Sequence, residues 1–324
     1  MTQTHPPGAT TATKTAIRVR GLRKSYGDNT VLDGIDLTVA EGSVFSLLGP
    51  NGAGKTTIVK IMSTLVAADA GEVVIAGYDL ARNSNGVRSV IGVTGQFSAV
   101  DMFHNAEENL LLMADLWHQP KSEGRRRAAE LLETFDLVEA SKKPVMTFSG
   151  GMKRRLDLAM TLMGSPRIIF LDEPTTGLDP RGRHKMWEII RNLVRDQAIT
   201  IFLTTQYLEE ADELADHVAV LDGGRFVAEG TADELKRRVP GGHILLTFAN
   251  PTALDAAARK LGGTVTLDED NFTLQVPSDG SAISVQAVLN QIDGRSVTQL
   301  SLHTPDLDDV FFALTGHDTK KGQS

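Results

Sequence analysis

Leu48-Gly49-Pro50-Asn51-Gly52-Ala53-Gly54-Lys55-Thr56-Thr57 follows a short apolar run, Val44-Phe45-Ser46-Leu47-Leu48, and leads into a run with helical spacing that begins Thr57-Ile58-Val59-Lys60-Ile61-Met62. Gly49, Gly54, Lys55 and Thr56 fit the pattern of a phosphate-binding loop, and a strand before it and a helix after it are the context that pattern requires. Glycines let consecutive backbone N–H groups, including those of Asn51, Gly52, Ala53, Gly54 and Thr57, turn inward around an anion where the next helix presents unpaired N–H groups and a positive dipole end. Lys55 adds a full charge that can reach the β and γ phosphates, and the Thr56 hydroxyl is placed to ligate Mg2+. A plain glycine-rich turn would need neither the Lys-Thr pair nor so many glycines.

A second run, Arg167-Ile168-Ile169-Phe170-Leu171-Asp172-Glu173-Pro174, is an apolar strand that ends in two carboxylates. Its body is expected to lie beside the strand that enters the loop, which would deliver Asp172 to the Mg2+ side of the phosphates. Glu173 would leave the strand and face the water that attacks the γ phosphate, as general base or as positioner of that water. Phe148-Ser149-Gly150-Gly151-Met152 supplies a third element: a serine able to cap a helix, two glycines, and a helix over residues 152–163, together a second anion-receiving helix terminus. Two such termini with one lysine between them suggest that two chains pair head to tail, each lending Ser149, Gly150 and Gly151 to the other's nucleotide. ATP-driven dimerisation would then be the mechanical event.

The flanking sequence is consistent with this. Residues 15–41 alternate around a turn at Tyr26-Gly27-Asp28-Asn29 and read as antiparallel strands. Two further strands fall at 73–75 and 90–93, followed after Gln96 by helical spacing over 105–117 and 123–137. Strand and helix then alternate: 167–171, 181–196, 199–203, 207–214 and 218–221. Buried strands alternating with helices predict a largely parallel sheet covered on both faces. Beyond a boundary at Pro240-Gly241-Gly242 the order is strand, helix, strand, strand, helix, strand, helix, which predicts a small α+β domain of ferredoxin-like type. Its last helix is expected to dock Leu307, Val310, Phe311 and Leu314. Residues 1–15 and 317–324 read as disordered tails.

With 324 residues, 41 acidic against 33 basic side chains and a net charge of −8, the chain does not suit a nucleic-acid binder that relies on a broad basic face. The clusters Arg125-Arg126-Arg127, Lys153-Arg154-Arg155 and Lys236-Arg237-Arg238 read as solvated helix faces. The absence of cysteine excludes disulfides, thiol catalysis and thiolate metal sites. The eight histidines show no pairing at metal-ligand spacing. No apolar run reaches the ~18 to 20 residues that span a bilayer, and the first residues lack the apolar centre of a signal peptide.

These motifs together resemble the ATP-binding subunits of ATP-binding-cassette (ABC) transporters, over residues 16 to about 238. The resemblance implies an α/β fold, a P-loop NTPase ABC cassette (16–239) with an antiparallel β subdomain and a helical insertion (about 97–163), plus a small α+β C-terminal domain (240–316). It implies ATP and Mg2+ as cofactors and a peripheral place on the cytoplasmic side of the cell membrane. The implied partners are a separate membrane permease and a second copy of the chain, with no nucleic acid. In family terms residues 49–57 resemble the Walker A motif, Ser149-Gly150-Gly151 the signature, Ile168 to Asp172 the Walker B strand with Glu173 as catalytic glutamate, and Gly177-Leu178-Asp179 the D-loop. Gln96 resembles the glutamine that reaches the nucleotide and its metal and couples them to the permease. Tyr26 stands where the family stacks an aromatic ring on adenine; a plain turn tyrosine is the alternative. Two positions depart from the pattern: Met152 replaces the usual Gln, and Gln206 replaces the switch histidine. Glutamine still donates a hydrogen bond but cannot become cationic, which implies slow hydrolysis.

A narrower resemblance, to the daunorubicin-resistance type of ATP-binding protein, rests on residues 94–101, 148–159, 204–206 and 305–311. It implies export of a drug, antibiotic or lipid and makes Gln206 a trait of the subgroup. A soluble cassette acting on ribosomes or DNA is the alternative. A regulatory module that binds nucleotide without hydrolysis is favoured only by Gln206, and a GTPase would need an Asn-Lys-x-Asp guanine reader that the sequence lacks.

Overall fold

The computed structural model describes residues 14–95, 99–239, 242–262, 265–292 and 294–315. The expected tails, apart from residues 14 and 15, the residues Pro240 and Gly241 of the expected boundary, and Gln96 lie outside them. The chain divides into two compact units, Met1–Ala232 and Asp233–Ser324, a division ahead of the one expected at Pro240.

The first unit opens with an antiparallel hairpin, β1 (Thr15–Tyr26) and β2 (Asn29–Ala40). β3 (Val44–Leu48) enters the phosphate loop and α1 (Lys55–Met62) leaves it. β4 (Ala70–Ile75) and β5 (Tyr78–Asp79) complete a four-stranded sheet of order β2-β1-β4-β5. After α2 (Ser84–Arg88) and β6 (Ile91–Thr94) comes the helical insertion, α3 (Ala106–Leu116), α4 (Lys121–Thr134) and α5 (Gly150–Leu162). Asn105 closes a capping box with Glu108 at the start of α3, which fixes where the insertion begins. The chain then returns as β7 (Ile168–Asp172), α6 (Pro180–Gln197), β8 (Thr200–Thr205), α7 (Leu208–Leu214), β9 (His217–Asp222) and β10 (Arg225–Gly230).

The second sheet has the order β10-β9-β3-β8-β7-β6 and is parallel except for β10. This corrects one expectation: β7 does not lie beside β3, because β8 sits between them. The central strands are buried on both faces, and alternate residues serve two cores. Phe45, Phe170 and Phe202 pack with α1 and the antiparallel sheet, while Ile169, Leu171, Ile201 and Leu203 pack toward α5, α6 and the insertion. The stacked rings of Phe45 and Phe202, 5.2 Å apart between centroids, join β3 to β8 on the first of these faces.

α8 (Ala232–Arg237) straddles the division between the units. The second unit then runs β11 (His243–Phe248), α9 (Pro251–Leu261), β12 (Thr266–Asp268), β13 (Thr273–Pro277), α10 (Ala282–Gln291), β14 (Val297–His303) and α11 (Leu307–Thr315). Its sheet is antiparallel with order β12-β13-β11-β14, the ferredoxin-like arrangement. Ile244, Leu246, Phe248, Leu254, Leu274 and Val288 form its own core. α11 buries Leu307, Val310 and Phe311, but Leu314 is 37% exposed and takes no part, against expectation. Replacing Phe311 with Ala should destabilise the chain by ~3 to 5 kcal/mol, the usual cost of emptying a buried aromatic site. Urea unfolding checks this, and a loss under ~1 kcal/mol would mean that the site collapses without cost.

Candidate functional site

Three strands of the parallel sheet end at one level. Leu48 of β3 pairs with Thr205 of β8, and Asp172 of β7 pairs with Thr204. Ligands of open α/β sheets bind at this carboxyl edge. The loop after β3 closes here because two of its glycines admit no side chain. A Cβ on Gly49 would stand 2.4 Å from the Leu221 carbonyl oxygen, and Gly54, at φ +111°, would drive one against Leu32 and Val31. Gly54 is the N-cap of α1, so the unpaired N–H groups of that helix open into the loop.

Lys55 is buried and folds back on the loop, donating to the carbonyls of Gly49 at 2.7 Å and Pro50 at 3.1 Å. Its Nζ stands 4.0 Å from Glu173 Oε1. Burial pulls the ammonium below the ordinary lysine range, while Glu173 and Asp172 draw it back up. Thr56 is the next residue, and its Oγ1 lies 3.4 Å from Asp172 Oδ1. Thr204 Oγ1 donates to the same Asp172 oxygen at 2.5 Å. Interposing β8 therefore does not part Asp172 from the loop: a threonine hydroxyl fills the gap and aims the carboxylate. Glu173 sits in the left-handed region at φ 51°, its backbone N–H donating to the Thr204 carbonyl at 3.1 Å and its Oε2 accepting from Thr176 at 3.2 Å. This turn takes Glu173 out of the strand and over the loop.

Val31, Asn51, Gly52, Gly54, Lys55, Thr56, Thr57 and Glu173 wall a depression of about 230 Å³. A larger cavity of about 460 Å³ opens beside Ile168 and Thr200, at the amino ends of β7 and β8, away from the carboxyl edge. The smaller depression is the candidate site. Gln206 follows the end of β8, half-buried. Tyr26, 49% exposed at the end of β1, carries Lys24 Nζ 5.3 Å above its ring and stands outside the walls of the depression. So does Ser149, which caps its own helix by accepting from Met152 N–H at 3.2 Å. Gly150 and Gly151 form the first turn of α5 rather than a loop before it. The structure thus gathers the phosphate-loop and Walker B residues and leaves the signature residues on the surface.

Two functional candidates escaped the sequence reading. Arg154 is no solvated residue: it is 9% exposed, and its guanidinium donates to the carbonyls of Gly95 at 2.6 Å, Pro174 at 2.9 Å, Asp172 at 3.1 Å and Glu173 at 3.3 Å. It clamps the carboxylate turn to the end of the strand that leads to Gln96. Burial pulls its pKa down and raises that of Asp157, 3.5 Å away. The second is Glu210 on α7, fully buried and accepting from Trp187 Nε1 at 3.2 Å. Burial pushes its carboxyl group above the ordinary range, against the lowering effects of Thr205, Thr175, Trp187 and Arg154.

Removing the Arg154 side chain leaves four carbonyls and a buried carboxylate without their cation, so Arg154→Ala should cost ~3 to 5 kcal/mol in urea unfolding. Arg155→Ala, which loses a half-buried contact to the Phe135 and Asp136 carbonyls, should cost less. Equal losses would contradict the clamp. Glu210 binds its proton more tightly folded than unfolded, so its contribution to stability is full below pH 4.5 and declines as pH rises toward the folded value. The melting temperature of Glu210→Gln relative to the native chain should therefore climb with pH from 4.5 upward; a constant difference would show that Glu210 titrates normally.

Residues 32–176 match the family model described as ABC transporter. A daunorubicin resistance ATP-binding protein of Streptomyces coeruleorubidus is 47% identical, over 94% of this chain and 98% of that protein. A doxorubicin resistance ATP-binding protein of Mycobacterium tuberculosis is 45% identical, over 94% and 95% of the two chains. Among solved structures, a dimeric ATP-binding cassette in a post-hydrolysis state bound to ADP and phosphate superposes with a TM-score of 0.60 at 25% identity, covering 66% of this chain and 98% of that one. The chain belongs to the ATP-binding proteins of the ABC transporter family.

Proposed function

We propose that this chain drives export of a drug-like or lipid-like molecule through a separate membrane permease, with two copies of the chain closing around ATP at the cytoplasmic face. Family membership makes it an ATP-binding, ATP-hydrolysing subunit. Among the described residues no helix is long and apolar enough to cross a membrane, so coupling to transport needs a membrane partner. The names of the two resistance proteins support a drug as cargo.

The observation that carries the proposed division of roles is the convergence of Thr56, Asp172, Glu173 and Lys55 at one strand edge. The α1 N-terminus and Lys55 bind the phosphates. Mg2+ fits the pair Thr56 and Asp172: one hydroxyl and one carboxylate are the sparse protein donor set this ion accepts alongside phosphate oxygens and water, and Gln96 would join them. When bound, the ion neutralises charge on the phosphate oxygens. Glu173 takes the proton from, or orients, the attacking water. Gln206 donates to the γ phosphate. Tyr26 stacks on adenine through a ring that is 49% exposed. Ser149, Gly150 and Gly151 stand away from their own chain's depression, which supports the view that they complete a second copy's site.

Glu173→Gln should lower ATP turnover by about 10² to 10⁴ while ATP still binds, measured by phosphate release alongside nucleotide titration. Gln206→Ala should lower it by ~10² to 10³, the loss of one aimed donor. Native turnover in Glu173→Gln would overturn the assignment of Glu173. Solubilised membranes should also yield this chain together with a multi-span protein; ribosomes or nucleic acid in its place would favour a soluble cassette.

A further inference from the structure

Glu210 has no part in the roles above, yet it lies between two segments that have. Thr175 and Thr205 both face its carboxyl group. Thr175 is 1% exposed and belongs to the turn that starts at Glu173; the Leu178 N–H donates to its carbonyl at 3.1 Å. Thr205 Oγ1 accepts from Tyr207 N–H at 2.9 Å, a local turn that encloses Gln206 and fixes its backbone. On its other side Glu210 is held by Trp187 of α6, itself edge-on to His184 at 4.9 Å. Arg154, which clamps the backbone of Asp172, Glu173 and Pro174, also acts on this carboxyl group.

Two atoms in the cluster lack a hydrogen bond of good geometry although both are sealed from solvent: Glu210 Oε2 and Thr175 Oγ1. Buried polar groups are nearly always paired, and an orphaned donor near an orphaned acceptor marks a bond that a small displacement would make.

We propose that Glu210 is a positioning residue for ATP hydrolysis, tying the Glu173–Leu178 turn through Thr175 to the Gln206 turn through Thr205, with Trp187 as its fixed anchor. The proposal rests on the reading of Glu173 and Gln206 as groups that face the γ phosphate. In its neutral form Glu210 accepts from Trp187 at Oε1 and donates from the Oε2 hydroxyl to Thr175 Oγ1 when the turn closes on it, and the two turns then move as one body. Burial holds the carboxyl group toward its neutral form, so an amide of the same shape can take its place. An acid that served only to satisfy the Trp187 indole would affect stability and leave the rate per bound ATP alone.

The test is steady-state ATP turnover of the full chain, with kcat and KM separated and the melting temperature recorded, for Glu210→Ala, Glu210→Gln, Thr175→Val and, as control, Glu173→Gln. The expected result is a loss of at least about tenfold in kcat for Glu210→Ala and for Thr175→Val with KM within about twofold, recovery of most of kcat in Glu210→Gln, and no further loss when Glu210→Ala and Thr175→Val are combined. Native kcat in a folded Glu210→Ala chain overturns the proposal, as does a Glu210→Gln chain no faster than Glu210→Ala. Should Glu210→Ala fail to fold, Thr175→Val decides: it removes only the hydroxyl that faces Glu210, and native kcat in it overturns the proposal. Turnover that survives Glu173→Gln would instead remove the hydrolytic reading on which the proposal stands.

Discussion

The Asp172 carboxylate is the point on which the site turns. One of its oxygens accepts from Thr204 and faces Thr56, so three strands must end at the same level for the phosphate loop, Asp172 and the end of β8 to meet. Register in a parallel sheet is set by side chains buried on both faces, and slippage by one residue would exchange the two cores. Phe45, Phe170 and Phe202 on one face, and Ile169, Ile201 and Leu203 on the other, hold that register and with it the chemistry. The apolar composition of these strands is therefore a functional constraint as much as a stabilising one.

Much of this arrangement is legible in the residues because the chemistry is local. A glycine-rich turn ending in Lys-Thr, a strand ending in Asp-Glu and a serine before two glycines each carry their geometry within a few residues. The C-terminal order was legible for the same reason, since alternation and helical spacing change at each boundary. Strand order is a different kind of fact. Nothing within residues 167–174 indicates that β8 will come between β7 and β3, because the pairing partner lies elsewhere in the chain; Thr204, whose hydroxyl bridges the gap, is informative only once the order is known.

Arg154 shows a second limit. Lys153, Arg154 and Arg155 look alike as a basic cluster, and composition assigns all three to solvent. Helical position separates them: Arg154 shares a face with Asp157, Leu158 and Thr161, so the oppositely charged pair three residues apart beside a buried leucine was the available signal. Glu210 offered less, since Glu209 and Glu210 open a helix where acidic residues favour the dipole in any case. Only its burial against Trp187 distinguishes it. Both residues bind or face the turn that bears Glu173, which places the cost of their burial where backbone precision matters most.

In the proposed reading one chain holds an incomplete site, with Ser149, Gly150 and Gly151 turned outward to serve a second copy. Sedimentation of the Glu173→Gln chain, in which bound ATP persists, tests it most directly. With ATP and Mg2+ the expected result is a species of twice the chain mass that reverts to monomer when nucleotide is removed. A chain that remains monomeric at saturating ATP, or one that is equally dimeric without it, would rule out completion of the site by a second copy.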